Sequence, residues 1–281
     1  MGNLILLDGA VGTSIWEKTT DKEPVWTYNI TRPEIVRELA NEYVAAGAKI
    51  ILANTFGVNR ISVKQNGKYS VKEAITLAMQ IAKDAVKGTD VKVALSSGPL
   101  TAMMEPYGDL SEEEVADIYH EVFEIGIREK PDLIMLQTFF DLAMMTVAAK
   151  EAKKFGIPVF CTMSFEEVGK TMFGNSVDDM IEELTEVGVD AIGLNCSLGP
   201  DKAIPIIKQF KEKTNLPLVF KPNAGKPILS TDGSTSNPYS KEDFVRELEP
   251  AFSLVDYIGG CCGTNAAYIK ALGEKLALIR K

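Results

Sequence analysis

Residues 187–196 read Val-Gly-Val-Asp-Ala-Ile-Gly-Leu-Asn-Cys, and the fold prediction depends on this stretch. Gly188 stands where a helix would end in the left-handed conformation that glycine adopts without strain. An apolar run over residues 191–194 follows at once, and Asn195 and Cys196 come directly after it. The stretch therefore predicts a helix end, a buried strand, and polar residues at the strand's carboxyl end.

The same unit recurs along the chain. Helix stops of this kind occur at Gly47 and Gly156, and helix start signals occur at Pro33, Ser111 and Ser240. Continuous apolar runs, rather than alternating ones, are typical of strands buried on both faces of a parallel sheet. Eight such strands are predicted, over residues 4–7, 50–53, 91–95, 133–136, 158–162, 191–194, 218–221 and 257–260.

These eight units predict the class α/β and a (β/α)8 TIM barrel. A length of 281 residues is typical of one such barrel, so residues 1–281 are predicted to form a single domain. The competing architecture is a doubly wound open sheet, which usually carries a GxGxxG loop after its first strand. The sequence there is Asp8-Gly-Ala-Val-Gly-Thr13, which lacks that pattern. In a barrel, the loops that follow the strands build the active site.

Composition excludes several classes of partner. The formal net charge is −9 and no basic run is present, which argues against nucleic acid. The apolar run near the N-terminus is too short for a secretory signal, and no stretch approaches 18 apolar residues, so we expect a cytoplasmic protein with no membrane partner. Four cysteines in such a chain are better explained as metal ligands, redox groups or core residues than as disulfides.

Three cysteines follow two predicted strands that lie close around a barrel rim. Cys196 follows the sixth strand, and Cys261 and Cys262 follow the eighth within Gly-Gly-Cys-Cys-Gly-Thr. Thiolates suit zinc, which binds sulfur at about 2.3 Å and in catalytic sites keeps one position open. The alternative is that these cysteines are small buried hydrophobic residues. That explanation is preferred for Cys161, which lies inside the fifth predicted strand.

Five motifs carry a family resemblance: Asp8-Gly-Ala-Val-Gly-Thr13, Asn54-Thr-Phe56, Gly193-Leu-Asn-Cys196, Pro222-Asn-Ala-Gly225 and Gly259-Gly-Cys-Cys-Gly-Thr264. Together they resemble those of the homocysteine S-methyltransferase family, most closely the branch containing the homocysteine-binding module of cobalamin-dependent methionine synthase. The resemblance implies a zinc ion bound by Cys196, Cys261 and Cys262, with the acceptor thiol as fourth ligand and homocysteine converted to methionine.

The resemblance also implies substrate-binding residues. Asp8 and the Gly9 backbone carry over as contacts of the acceptor, the alternative being a turn that caps the next helix. Asn195 is included in this set. Gln137 and Thr138 stand where the family usually has Glu-Thr, which helps to bind the amino group. Gln137 is therefore a departure from the family pattern, as is Ala53, where Thr or Glu is common.

Asn223 is a candidate exchangeable metal ligand. Its carboxamide oxygen could fill the open zinc position until substrate displaces it. A water molecule could do the same, and a turn asparagine is the remaining alternative.

The resemblance favours a methyl-corrinoid protein as the methyl donor, so cobalamin would be needed only through that partner. The alternatives are S-methylmethionine or S-adenosylmethionine as donor, an acceptor other than homocysteine, and a zinc-stabilised binding barrel without catalysis. His120 is the single histidine of the chain and is expected on an exposed helix face, so no histidine-based triad is available.

Overall fold

A computed structural model describes residues 4–225, 228–229, 235–236 and 238–279, and its main feature is a sheet of eight parallel strands. Around this sheet the order is β1-β10-β7-β6-β5-β4-β3-β2, while β8 and β9 pair as a separate antiparallel ribbon. The strands are β1 (Ile5–Leu6), β2 (Ile50–Leu52), β3 (Lys92–Ser97), β4 (Leu133–Phe139), β5 (Val159–Met163), β6 (Ala191–Asn195), β7 (Leu218–Lys221), β8 (Ile228–Leu229), β9 (Thr235–Ser236) and β10 (Tyr257–Ile258).

The sheet closes on itself. A parallel bridge between Leu7 and Ile50 joins the end of β1 to β2, and the Asp8 N–H donates to the Ile50 carbonyl at 3.2 Å. The two terminal strands of the sheet order are thereby neighbours, which gives the ring of a (β/α)8 barrel. The predicted TIM barrel is confirmed, and the open doubly wound sheet is excluded.

Two apolar layers hold the barrel together. Side chains that point inward from the strands pack along the barrel axis, and a larger layer joins the outer strand faces to the helices, because successive side chains of a strand point to opposite faces. The inward cluster consists of Leu7, Ile50, Ala94, Leu133, Met135, Phe160, Ala191 and Val219. These side chains fill the barrel interior below the polar residues at the carboxyl ends of the strands.

The helices begin and end where local signals predict. Ser111 caps α6 through a reciprocal capping box with Glu114, and Ser240 accepts from the Asp243 N–H at the start of α10. Gly188 ends α8 at φ +77°. The helices are α1 (Gly12–Glu17), α2 (Tyr28–Thr31), α3 (Pro33–Ala45), α4 (Arg60–Asn66), α5 (Val71–Ala85), α6 (Glu112–Ile127), α7 (Leu142–Lys153), α8 (Val177–Val187), α9 (Pro200–Lys213), α10 (Lys241–Leu248) and α11 (Ala266–Ile279).

All eight predicted barrel strands are present, with shifted ends. β3 and β4 extend past the predicted ends because the polar residues Ser96, Ser97, Gln137 and Thr138 continue the strands beyond their apolar runs. The β8–β9 ribbon was not predicted, since two residues per strand are too few to give a periodic signal. Among the described residues, no helix is long and apolar enough to cross a membrane.

Candidate metal centre and substrate site

The three predicted cysteines converge at the carboxyl ends of β6 and β10. Their sulfur atoms all lie within 4.8 Å of one another, and the Sγ atoms of Cys196 and Cys262 are 3.7 Å apart. A tetrahedral zinc ion with bonds of about 2.3 Å would hold two sulfur ligands about 3.8 Å apart. The sulfur separations therefore fit a zinc ion without rearrangement of the backbone.

Unusual backbone conformations build this cluster. Cys196 has φ +64° and Ser197 has φ +56°, a region that residues with a Cβ rarely occupy and that is enriched at functional sites. Around the other two thiols the chain passes close to β1, because a Cβ at Gly259 would lie 2.6 Å from the Asp8 carbonyl oxygen. Gly259 is thus required because the chain that follows β10 packs closely against the chain that follows β1.

Asn195 connects the thiol cluster to β4. Its Oδ1 accepts from the Thr138 N–H and from the Thr162 hydroxyl, both at 2.7 Å. Its Nδ2 donates to the Thr138 hydroxyl at 2.7 Å and to the Cys261 sulfur at 3.6 Å. Asn195 is fully buried, so these bonds fix Thr138 at φ +63° and orient the Cys261 sulfur.

The three sulfurs differ in acidity. The pKa of Cys261 lies well below its usual range because its sulfur is hydrogen-bonded by Cys196 and Cys262, and the Lys221 ammonium lowers the pKa further. Hydrogen bonds with Cys261 and Cys262, together with burial, raise the pKa of Cys196 well above its usual range. The cluster therefore contains one sulfur that readily becomes a thiolate, next to thiols whose protons a metal would displace.

A buried ion pair lies beneath the thiols. Lys221 Nζ is 2.6 Å from Asp8 Oδ1, and the two side chains are 2% and 1% exposed. Asp8 Oδ2 accepts from the Leu52 N–H at 2.7 Å. Burial raises the pKa of Asp8, and the contact with Lys221 opposes that rise. Both carboxylate oxygens of Asp8 are therefore engaged within the protein, and the predicted contact between Asp8 and the acceptor remains a prediction.

A cavity of about 370 Å³ opens beside the cluster, and we call it the Trp26 cavity. It has an aromatic and apolar wall on one side and the three sulfurs on the other. Of the predicted substrate contacts, Gly9, Gln137 and Thr138 line the cavity, whereas Asp8 and Asn195 lie behind the wall. The other side chains that matter below are Trp16, Trp26, Leu52, Phe56, Ser96 and Lys221.

A second cavity, of about 320 Å³, reaches two of the three cysteines, and we call it the Asn223 cavity. Cys196, Cys262 and Thr138 line both cavities. Asn223 is 1% exposed, and its Oδ1 has no hydrogen-bond partner among the described residues. A buried amide oxygen without a partner is costly, which is consistent with a metal as its missing partner.

The remaining sequence-based assignments concern residues away from the cluster. Cys161 is fully buried inside β5, as predicted, and burial raises its thiol pKa. His120 lies on α6 with a half-exposed side chain, 3.2 Å from Glu151. Sequence analysis missed Lys221 as a site residue. Its signal was a charged side chain at the end of a strand that is otherwise apolar.

Comparison with known proteins identifies relatives of this chain. Residues 5–276 match the family model described as homocysteine S-methyltransferase. The chain is 28% identical over 274 residues to the methionine synthase of Mycobacterium tuberculosis, covering 90% of this chain and 22% of that protein. It is 25% identical over 301 residues to betaine–homocysteine S-methyltransferase 1 of Rattus norvegicus, covering 98% of this chain and 73% of that protein. The chain thus spans under a quarter of that methionine synthase.

A solved structure has the same fold. The homocysteine methyltransferase MmuM from Escherichia coli, in its metallated form, superposes with a TM-score of 0.82 and 20% sequence identity. The match covers 97% of this chain and 96% of that one. At this identity the similarity supports the fold of the barrel.

Proposed function

The chain belongs to the homocysteine S-methyltransferase family, and on that premise we propose that it is a zinc-dependent methyltransferase acting on a metal-bound thiol. The observation that carries the proposal is the convergence of three cysteine sulfurs within 4.8 Å, at the wall of a cavity large enough for a small substrate. Family membership in methyltransferases agrees with the sequence prediction of an enzyme.

Cys196, Cys261 and Cys262 would hold the zinc ion. When bound, zinc supplies Lewis acidity that makes a coordinated thiol a thiolate at neutral pH, whereas a free thiol has a pKa of about 8.5. Asn223 would occupy the fourth position from the Asn223 cavity until the acceptor arrives, which would explain its unpartnered buried Oδ1. Asn195, which also donates to Thr138, would keep the Cys261 sulfur oriented.

The acceptor thiol enters through the Trp26 cavity in this proposal. The Gly9 backbone, Gln137 and Thr138 then face its carbon chain. Homocysteine, with methionine as the product, is the acceptor that the names of the relatives suggest. The protein's own part in the reaction is to align the thiol and to exclude water from a largely apolar cavity.

A methyl-corrinoid protein is our proposed donor, with cobalamin carried by that partner. Exposed apolar side chains surround the carboxyl end of the barrel, and such patches mark surfaces that contact other molecules. Met103, Tyr107 and Met172 are 50%, 66% and 72% exposed there, and Tyr107 packs against Phe173 at 5.1 Å. S-methylmethionine or S-adenosylmethionine as donor would instead bind within the cavities and would need no partner protein.

Zinc K-edge absorption with and without added thiol tests the proposal. We expect about one zinc ion per chain, bound by three sulfur ligands that become four when the acceptor is added. Cys261→Ser and Cys262→Ser should each lose most of the zinc. Full zinc occupancy in both variants would place the metal elsewhere. A methyl-transfer assay with each candidate donor separates the enzyme from a non-catalytic zinc-stabilised barrel, which would bind zinc without turnover.

A further inference from the structure

The wall of the Trp26 cavity contains no partner for a positive charge. Among the described residues that line it, none is aspartate or glutamate, and Lys221 is the only lysine or arginine. The rest of the wall, thiols aside, is apolar, aromatic, glycine or neutral polar. An ammonium group that enters this cavity would therefore leave water without meeting an anionic side chain, and it would approach a lysine.

The Asp8 carboxylate is buried and already paired. Asp8 lies behind the cavity wall, where Lys221 Nζ contacts one oxygen at 2.6 Å and the Leu52 N–H donates to the other at 2.7 Å. Each Asp8 oxygen could still accept another hydrogen bond, but Asp8 is 1% exposed and is not among the residues that line the Trp26 cavity, so an ammonium group in that cavity does not meet it. Turning Asp8 toward the cavity would break its buried contact with Lys221, which carries a large penalty.

Gln137 offers only a neutral acceptor. Its Nε2 donates to the Ser96 hydroxyl at 2.9 Å, which fixes the side-chain amide against β3. The amide oxygen is the group left to accept from a ligand. A neutral acceptor stabilises a buried ammonium less than a carboxylate does, because charge-assisted hydrogen bonds are roughly twice as strong as neutral ones.

We propose that the acceptor of this enzyme is a thiol without an ammonium group, with a neutral or carboxylate-bearing carbon chain. The inference rests on the proposed zinc-dependent methyltransferase, and it replaces homocysteine, the acceptor that the relatives' names suggest, with a thiol that lacks the ammonium group. A carboxylate is compatible with the cavity because the Lys221 ammonium has three N–H donors, and Asp8 Oδ1 is its one described acceptor. The aromatic wall formed by Trp16, Trp26 and Phe56 suits an aliphatic chain.

The Asn223 cavity offers the one competing arrangement. Glu166 lines that cavity with an exposed side chain, so an amino acid bound from that side could pair its ammonium with Glu166. The two arrangements make opposite predictions for variants. If homocysteine binds through the Trp26 cavity, its affinity depends on Gln137. If it binds through the Asn223 cavity, its affinity depends on Glu166.

Calorimetric titration of two matched thiols tests the proposal. Homocysteine and 4-mercaptobutanoate differ only by the ammonium group. We expect the zinc-loaded wild type to bind 4-mercaptobutanoate at least ten times more tightly, since a charged group buried without a partner is strongly disfavoured. Gln137→Glu should shift the ratio of the two dissociation constants toward homocysteine by about tenfold. Glu166→Gln should leave that ratio unchanged.

Wild-type protein that binds homocysteine as tightly as 4-mercaptobutanoate would overturn the inference, and a fall in homocysteine affinity in Glu166→Gln would identify the competing site. The wild-type comparison decides the question even if Gln137→Glu fails to fold. Zinc K-edge absorption distinguishes failure of the proposed function from failure of the acceptor inference. If neither thiol joins the zinc ligands, the proposed function fails as well; if homocysteine joins and binds more tightly, only the acceptor class is wrong.

Discussion

Removal of the Lys221 ammonium tests whether the ion pair beneath the thiols organises the floor of the site. In Lys221→Met the apolar stem is largely retained, but Asp8 is left in a position that is 1% exposed, with the Leu52 N–H as its remaining described partner. Loss of one member of a buried ion pair typically costs about 3–5 kcal/mol. Native domains are stable by only about 5–15 kcal/mol, so this change would remove a large part of the total.

Unfolding of a single variant, a double variant and a surface control gives the measurement. Urea unfolding at pH 7 and equal zinc loading would be followed for Lys221→Met, for Asp8→Asn with Lys221→Met, and for Lys49→Met. Asp8→Asn removes the uncompensated charge, so the double variant should recover most of the lost stability. Lys49 pairs with Asp90 on the surface, with side chains 54% and 78% exposed, and its loss should cost at most about 1 kcal/mol.

Two results would refute this reasoning. In the first, Lys221→Met is no less stable than Lys49→Met, which would mean that solvent reaches Asp8 and screens its charge. In the second, the double variant is no more stable than Lys221→Met, in which case the loss comes from packing of the lysine stem rather than from an isolated carboxylate. Either outcome would also weaken the inference that its contact with Lys221 keeps Asp8 away from a substrate ammonium in the Trp26 cavity.

Three further substitutions probe the metal centre and the barrel. Cys161→Ala should lower the free energy of unfolding by about 1–2 kcal/mol and leave zinc content intact, and zinc loss would show that this thiol is a ligand. Asn195→Ala should weaken zinc binding about 10–100-fold in a competition titration with a chelator, because it removes the group that orients a ligand sulfur; unchanged affinity would contradict that role. Gly193→Ala should abolish folding judged by circular dichroism, since its Cβ would lie 1.9 Å from the Val219 carbonyl oxygen, whereas the roomier Gly12→Ala should fold.

The sequence by itself predicted the barrel and the convergence of the three cysteines. Strand positions follow from local apolar runs, helix ends follow from glycines such as Gly188, and neither depends on distant contacts. The strands of a barrel all end at the same face, so residues placed directly after them, such as Cys196 and Cys262, must come together there. Their convergence needed no knowledge of side-chain direction, because the backbone alone brings the two strand ends near each other.

Only the tertiary structure decided which polar groups face the Trp26 cavity. Asp8 and Lys221 are 213 residues apart, and their contact forms only when the ring of strands closes. Ser96 and Gln137 are 41 residues apart and lie on neighbouring strands, so their hydrogen bond depends on the register of β3 against β4. Motif position placed Asp8 at the site, but whether its carboxylate faces the cavity or a buried lysine depends on neighbours from other strands. Local sequence does not specify which of the two the Asp8 carboxylate faces.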